Sequence, residues 1–444
     1  MQTGPDRLTP DDNLFVRMDR ALGLPTAVQA VWLLDGHVDR AHLDTLVERL
    51  GRGRLSRLVA RHRLPCRDSW VYTEKAGDYH FDPDPVEPAD ITGWADAQLR
   101  APLDIVNGPA WRVAIATSAP GDTTLVSFTR SHVTGDGTAG VAAIVEAVRG
   151  EAFEPNLTPA GTLSNLRDTA GLVWSAGRAA ARLRHPRQPS GPVPPAAPVS
   201  RDMSSEYVAE MLASAEPNPS VGITIDAAAA VRVSESAGGT LNSLFTALMI
   251  GLLERSGRVR RGDLVPLAIP VAGRDAAGDR RANVTAGATA YIVVEDSRYD
   301  DLSAIRQACK EAFVRLDERP GGSAALVSAM QLLPDAVIGK LAANAPTPLC
   351  LASNIGRLPE EFRTLGTGLD ATVLMRAGTV ATPAEFARRG GGVHGWFWID
   401  GDVATWTAAS ADPVHVPTAA VLADLMMTEL ARWSLVGRPW GVRD

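Results

Sequence analysis

The sequence predicts an α/β fold of two lobes built on mixed sheets, and three observations predict it. The chain has 444 residues, 45% of them hydrophobic. That supplies two cores of about 200 residues each, more than one typical domain holds. Pro186, Pro189, Pro192, Pro194, Pro195 and Pro198 crowd one short stretch. Neither a helix nor a central strand accommodates them, so the stretch reads as a semi-extended linker. On both sides of it, β-branched runs alternate with helical patterns, and hairpins occur among them, which gives mixed rather than purely parallel pairing. The division expected is residues 1–184, a linker at 185–200, and residues 201–444.

In the first half, residues 28–34 read as a strand and 41–50 as a helix. Residues 110–117 and 123–130 read as strands joined by the turn Ser118-Ala-Pro-Gly-Asp122. Residues 137–148 then form a helix. Residues 163–183 form another, whose basic end (Arg178, Arg182, Arg184) suits its C-terminal dipole. In the second half, 221–226 is a strand and 242–256 a strongly apolar helix. Strands at 264–270 and 286–294 precede a helix at 302–316. Strands at 371–375, 392–399 and 402–409 follow, and a helix at 416–433 closes the chain. Trp396, Trp398 and Trp406 fall on the last two strands, where cross-strand packing is the expected use of them.

Composition narrows the function. The net charge of −7 makes nucleic acid a poor main partner. Cys66, Cys309 and Cys350 are far apart and odd in number, which fits a reducing compartment and gives no metal spacing. His37 and His42 lack further ligands for zinc. The N-terminus has no secretory pattern, and the longest apolar run, residues 244–253, is too short to span a bilayer. A cytoplasmic protein, monomeric and with at most peripheral membrane contact, is the expectation.

One segment carries chemistry. The apolar run from Thr123 ends at Ser131-His132-Val-Thr-Gly-Asp136-Gly137. A lone His thus follows a strand, and a Gly-Asp-Gly turn opens a helix. A general base needs a pKa near neutrality and rigid aim, and a strand end supplies the aim. Ser131 is not its nucleophile, because adjacent strand residues point to opposite faces. Nor does the chain carry a Gly-x-Ser-x-Gly elbow. His132 is therefore expected to activate a hydroxyl or amine of a substrate.

The His132-x-x-x-Asp136-Gly137 pattern, in a chain of this size with two α/β halves, resembles the CoA-dependent acyltransferase superfamily. That superfamily includes chloramphenicol acetyltransferase, nonribosomal peptide synthetase condensation domains and wax ester synthase/diacylglycerol acyltransferases. The last group is the most similar. Its opening motif resembles Leu8-Thr-Pro-Asp-Asp-Asn-Leu-Phe15, and its Arg-Pro-Leu-Asp and Pro-x-Trp resemble Ala101-Pro-Leu-Asp104 and Pro109-Ala-Trp111. Its Pro-Val-x-x-Arg and Ser-Asn-x-x-Gly resemble Pro270-Val-Ala-Gly-Arg274 and Ser353-Asn-Ile-Gly356.

The resemblance implies two chloramphenicol-acetyltransferase-like lobes with an active-site tunnel between them. It implies His132 as the base that deprotonates the acceptor, and Asp136 paired with Arg274 to hold the His132 turn. Gly137 would give room to a pantetheine arm or acceptor. Asn242, Ser353 and Asn354 would line the tunnel. The donor would be acyl-CoA or a phosphopantetheinyl carrier protein used as substrate, with no bound cofactor or metal, and the acceptor a small alcohol or amine. A condensation-like enzyme of a secondary-metabolite pathway and a catalytically silent carrier-protein or lipid binding module are the alternatives. Three departures mark a diverged member: Ser131 replaces the first of two histidines, Ser243 replaces the Asp after Asn242, and a Gly-Asn-Arg motif is reduced to Arg281-Ala-Asn283.

Overall fold

The structure, a computed structural model, describes residues 5–63, 65–119, 121–183, 203–274, 279–317 and 330–442. The proline-rich stretch expected at 185–200 lies outside them. The strands are β1 Thr26–Leu34, β2 Arg57–Ala60, β3 Ser69–Tyr72, β4 Gly77–Phe81, β5 Trp111–Thr117, β6 Thr124–Ser131 and β7 Ser220–Asp226. They continue as β8 Leu264–Ala272, β9 Thr285–Val293, β10 Cys350–Arg357, β11 Ala371–Thr379, β12 Val393–Asp400, β13 Val403–Ser410 and β14 Gly437–Pro439.

Two sheets of mixed orientation organise the molecule. The first runs β11-β1-β6-β5-β4, and the second β14-β7-β13-β12-β10-β8-β9. β5 and β6 form the hairpin that the Pro-Gly turn predicts. Parallel pairs (β4 with β5, β10 with β12 and with β8) sit beside antiparallel ones.

β11 departs from a partition of strands at the linker. Residues 371–379 come from the second half, yet they pair antiparallel with β1 of the first sheet. The reason is physical: β1 is buried along nearly its whole length, and without β11 it would be a long apolar edge. The buried Arg376 of β11 completes the tie. It donates to Gln29 Oε1 at 2.8 Å and Ser220 Oγ at 2.8 Å, and lies 2.6 Å from Asp96.

The helix α1 Pro10–Arg20 starts with a Thr9–Asp12 capping box and proline at its first position. α2 is Arg40–Arg52 and α3 is Ile91–Arg100. α4 is Gly137–Arg149, capped by Asp136, and α5 is Thr162–Leu183. α6 is Ser205–Ser214, α7 Ala227–Ser236 and α8 Leu241–Arg255. α8 is buried from Ser243 to Leu253, as a helix apolar on all sides must be. Its core includes Phe397, Trp406 and Ala408 from one face of β12 and β13. The opposite face presents Trp398, with Trp396 beside it, to a core shared with Trp32, Phe362 and Val373. The two lobes therefore meet along a packed apolar seam.

Among the described residues no single helix is long and apolar enough to cross a membrane. α7 and α8 pass that test only as a pair, bent by 89°. Cys66, Cys309 and Cys350 are buried and free, and the described residues contain no cluster that could hold a metal ion.

Candidate active site

β6 ends at Ser131, and His132 begins a single 3-10 turn, His132–Thr134. The Ser131 hydroxyl is engaged locally, accepting from the Val133 N–H at 3.3 Å. The turn is fastened from beneath by Arg130. This fully buried guanidinium donates to the carbonyls of Gly135 and Asp136. A Cβ on Gly140 would lie 2.6 Å from Arg130 Nη2, so glycine there makes room for the clamp. Burial lowers the Arg130 pKa to about 10, which leaves it charged at neutral pH.

The His132 ring is half-buried and stacks on Phe15 of α1, with centroids 3.8 Å apart and planes at 15°. Its Nδ1 lies 3.2 Å from Asn283 Oδ1. The Asn283 amide group faces three acceptors: Asp12 Oδ1 at 3.0 Å, the His132 carbonyl at 3.2 Å and the Val133 carbonyl at 3.1 Å. Those acceptors assign its nitrogen, so its oxygen is the atom that meets the ring. Among the described residues, Nε2 has no hydrogen-bond partner. Burial, and then the Arg130 charge, lower the His132 pKa to about 4, so the ring is neutral at pH 7.

Asp136 and Arg274 form the expected pair, 2.9 Å apart. The carboxylate also accepts from Thr138 at 2.7 Å, from Ala139 N–H at 2.8 Å and from Val284 N–H at 2.9 Å. Burial alone would raise its pKa. Arg274, Val284 and Thr138 prevail and hold it at about 2. Arg274 reaches further, to the carbonyls of Arg281 and Ala282 at 2.8 Å each. Residues 281–285, leading into β9 of the second sheet, are thus laced onto the His132 turn of the first.

Asp12 is the residue that sequence reasoning missed in this lacing. It accepts from the Asn283 N–H at 2.8 Å and from the Thr9 N–H at 2.8 Å. Burial pushes its carboxyl up, against the opposing pull of Arg57 and of these N–H groups. Asp12 and Phe15 both lie in the opening motif, and Asn283 in the Arg281-Ala-Asn283 remnant, so the signal was present without its geometry. Arg130 gave no signal beyond being an arginine inside an apolar strand.

The other expected residues fall in two places. Gly137, the first residue of α4, is exposed, and a Cβ there would meet nothing within 4 Å. Asn242, near the start of α8, and Asn354, on β10, approach at 3.4 Å. Ser353 is half-buried and stands in register with Trp396. Its side chain therefore shares the lobe-facing side with Trp396 and Trp398. Among the described residues no hydrogen bond joins this second group to His132.

No protein-family model and no curated protein matches the chain. Solved structures do. The condensation domain of the monacolin K polyketide synthase MokA is 15% identical, with a TM-score of 0.57 over 97% of this chain and 96% of that one. The wax ester synthase/diacylglycerol acyltransferase of Marinobacter aquaeolei VT8 is 14% identical, with a TM-score of 0.54 over 96% and 98%. The first condensation domain of the calcium-dependent antibiotic synthetase, in complex with a substrate analogue, is 13% identical, with a TM-score of 0.60 over 97% and 96%. The chain therefore shares the fold of these condensation domains and of the wax ester synthase along nearly its whole length.

Proposed function

We propose that this protein is an acyltransferase. It moves an acyl group from a CoA or carrier-protein thioester to a hydroxyl or amine acceptor. The observation that carries the reading is His132: a neutral ring at a strand end, stacked and hydrogen-bonded on one side, with Nε2 left without a hydrogen-bond partner among the described residues. Nε2 takes the acceptor's proton as its oxygen or nitrogen attacks the thioester carbonyl. The tetrahedral intermediate collapses, the C–S bond breaks, and the imidazolium returns the proton to the departing thiolate. The products are an ester or amide and a free thiol.

Asp136 and Arg274 act as positioning residues in this scheme. They tie the His132 turn to the second sheet and do not touch substrate. The open space at Gly137 suits a pantetheine arm, and Asn242, Ser353 and Asn354 suit a tunnel wall. Both lobes of one chain supply the site, which supports a monomer. Neighbours of both kinds, condensation domains and a wax ester synthase, support a thioester donor. They leave CoA and carrier protein as the two forms to assay.

The test is free-thiol release from a panel of acyl-CoAs and acyl-pantetheinyl carrier proteins, with mixed alcohols and amines. The expected result is acceptor-dependent release that His132→Ala lowers by about 10² to 10⁴. Equal release by wild type and His132→Ala would overturn the reading. No release from either donor would favour a silent module that binds a carrier protein or lipid.

A further inference from the structure

We propose that Asn283, anchored by Asp12, is a positioning residue that fixes which ring nitrogen of His132 carries the proton. The inference rests on the reading of His132 as the base, since only a base needs a defined lone pair. A neutral imidazole has two tautomers, and in water the side chain favours hydrogen on Nε2. That form would turn a donor, not a lone pair, toward the acceptor hydroxyl or amine.

The geometry removes this fault in three links. Asp12 accepts from both the backbone N–H and the side-chain nitrogen of Asn283, at 2.8 and 3.0 Å. Two further carbonyls face the same nitrogen. Turning the amide over would set its oxygen against three acceptors, so the Asn283 oxygen is locked toward His132. That oxygen only accepts, and 3.2 Å away it requires Nδ1 to be the donor. Phe15 stacks on the ring face and limits its rotation. The lone pair then lies on Nε2, which has no hydrogen-bond partner among the described residues.

Asp12 touches neither ring nor substrate. Its part is to orient the amide, and Asn283 acts only through His132. The arrangement gives the opening motif, Leu8 to Phe15, a task in the chemistry of a strand more than a hundred residues later.

The test reads the tautomer directly, by ¹⁵N–¹H correlation spectra of histidine-labelled full-length protein near pH 7. The protein has 8 histidines, and the His132 signals are assigned by their loss in His132→Gln. Wild type is expected to show protonated Nδ1 and unprotonated Nε2. Asn283→Leu, close in volume but without an acceptor, is expected to move His132 to the Nε2–H form or a mixture, with the other histidines unchanged. Asn283→Ala serves where leucine is not accommodated. An Nε2–H ring in wild type, or an unchanged Nδ1–H ring in the variants, would overturn the proposal.

Thiol release separates this outcome from that of the acyl-transfer reading. Asn283→Leu should lower kcat by about 10-fold or more with KM unchanged, as loss of an orienting partner does. If wild type releases no thiol, the acyl-transfer reading fails while the tautomer result stands by itself.

Discussion

The pKa of His132, about 4, decides how the protein should respond to pH. A free histidine titrates near 6.5, and a base with that pKa would lose half its rate there. Here the ring stays neutral well below that. The pH profile of kcat/KM should therefore be flat from neutrality down to about pH 5, and an acid limb near 6.5 would contradict the assignment. Stability follows the same sign. The unfolded ring accepts a proton that the folded ring refuses, so this contribution is lost as pH falls from about 6.5 to about 4. Asp136, at about 2, acts lower. Its contribution is complete above the unfolded value of about 3.9 and is lost as pH falls through about 2. Asp136→Ala should cost stability near pH 7 because it strands the partly buried Arg274. Breaking such a pair costs about 3 to 5 kcal/mol, and the carbonyls of Arg281 and Ala282 that still hold Arg274 place this one near 3. Urea midpoints of wild type and Asp136→Ala should converge as pH approaches 2. A difference that persisted there would remove the ion pair as its source.

At the scale of one helix, the start of α4 offers two glycines with opposite demands. Gly137 faces open space, so Gly137→Ala should leave the melting temperature unchanged. If the pantetheine arm passes there, the same change should raise KM for the donor. A Cβ on Gly140 would come within 2.6 Å of the Arg130 guanidinium, so Gly140→Ala should displace the clamp under the His132 turn. It should lower both melting temperature and kcat. Thermal melts with donor titrations check both, and a stability loss in Gly137→Ala would show that the glycine serves the fold. These elements also show what was legible in the sequence. β5, β6 and α4 follow from hydrophobic period and Gly-rich turn, because their determinants are local. α8 follows from its apolar run. α1, α3 and the short β2, β3 and β4 were not read as elements, because their apolar faces are completed by distant residues; Trp70 of β3, for example, packs with Leu8 and Ile105. The Asp136–Arg274 pair came from motif order. The Asp12–Asn283–His132 chain did not, since nothing local relates residues 12, 132 and 283.

β11 turns two sheets into one cooperative molecule. It leaves the second half, closes the exposed side of β1, and through Arg376 contacts β1, α3 and β7 at once. Its Leu374 fills the space that the missing side chain of Gly222 leaves on β7, where a Cβ would approach it to 2.4 Å. Trp32 adds a second tie, donating its indole N–H to the Phe362 carbonyl at 2.7 Å. The candidate site crosses the same divide, since His132 and Asp136 come before residue 185 and Arg274 and Asn283 after residue 200. Neither half should therefore behave as an independent unit. Residues 1–184 expressed alone would expose the edge of β1 together with Trp32, Leu34 and Phe128, residues of the core completed by Val373 and Trp398. A long apolar edge of that kind promotes association. The expected outcome is aggregation of residues 1–184 alone, and a soluble complex when residues 201–444 are co-expressed. Size-exclusion chromatography with circular dichroism separates the cases. The complex should also regain whatever thiol-release activity the intact chain has, because no covalent link is needed to seat Arg274 on Asp136. A monomeric, cooperatively melting 1–184 fragment would show that β11 is an accessory to the first sheet and that the lobes are joined more loosely than their shared core implies.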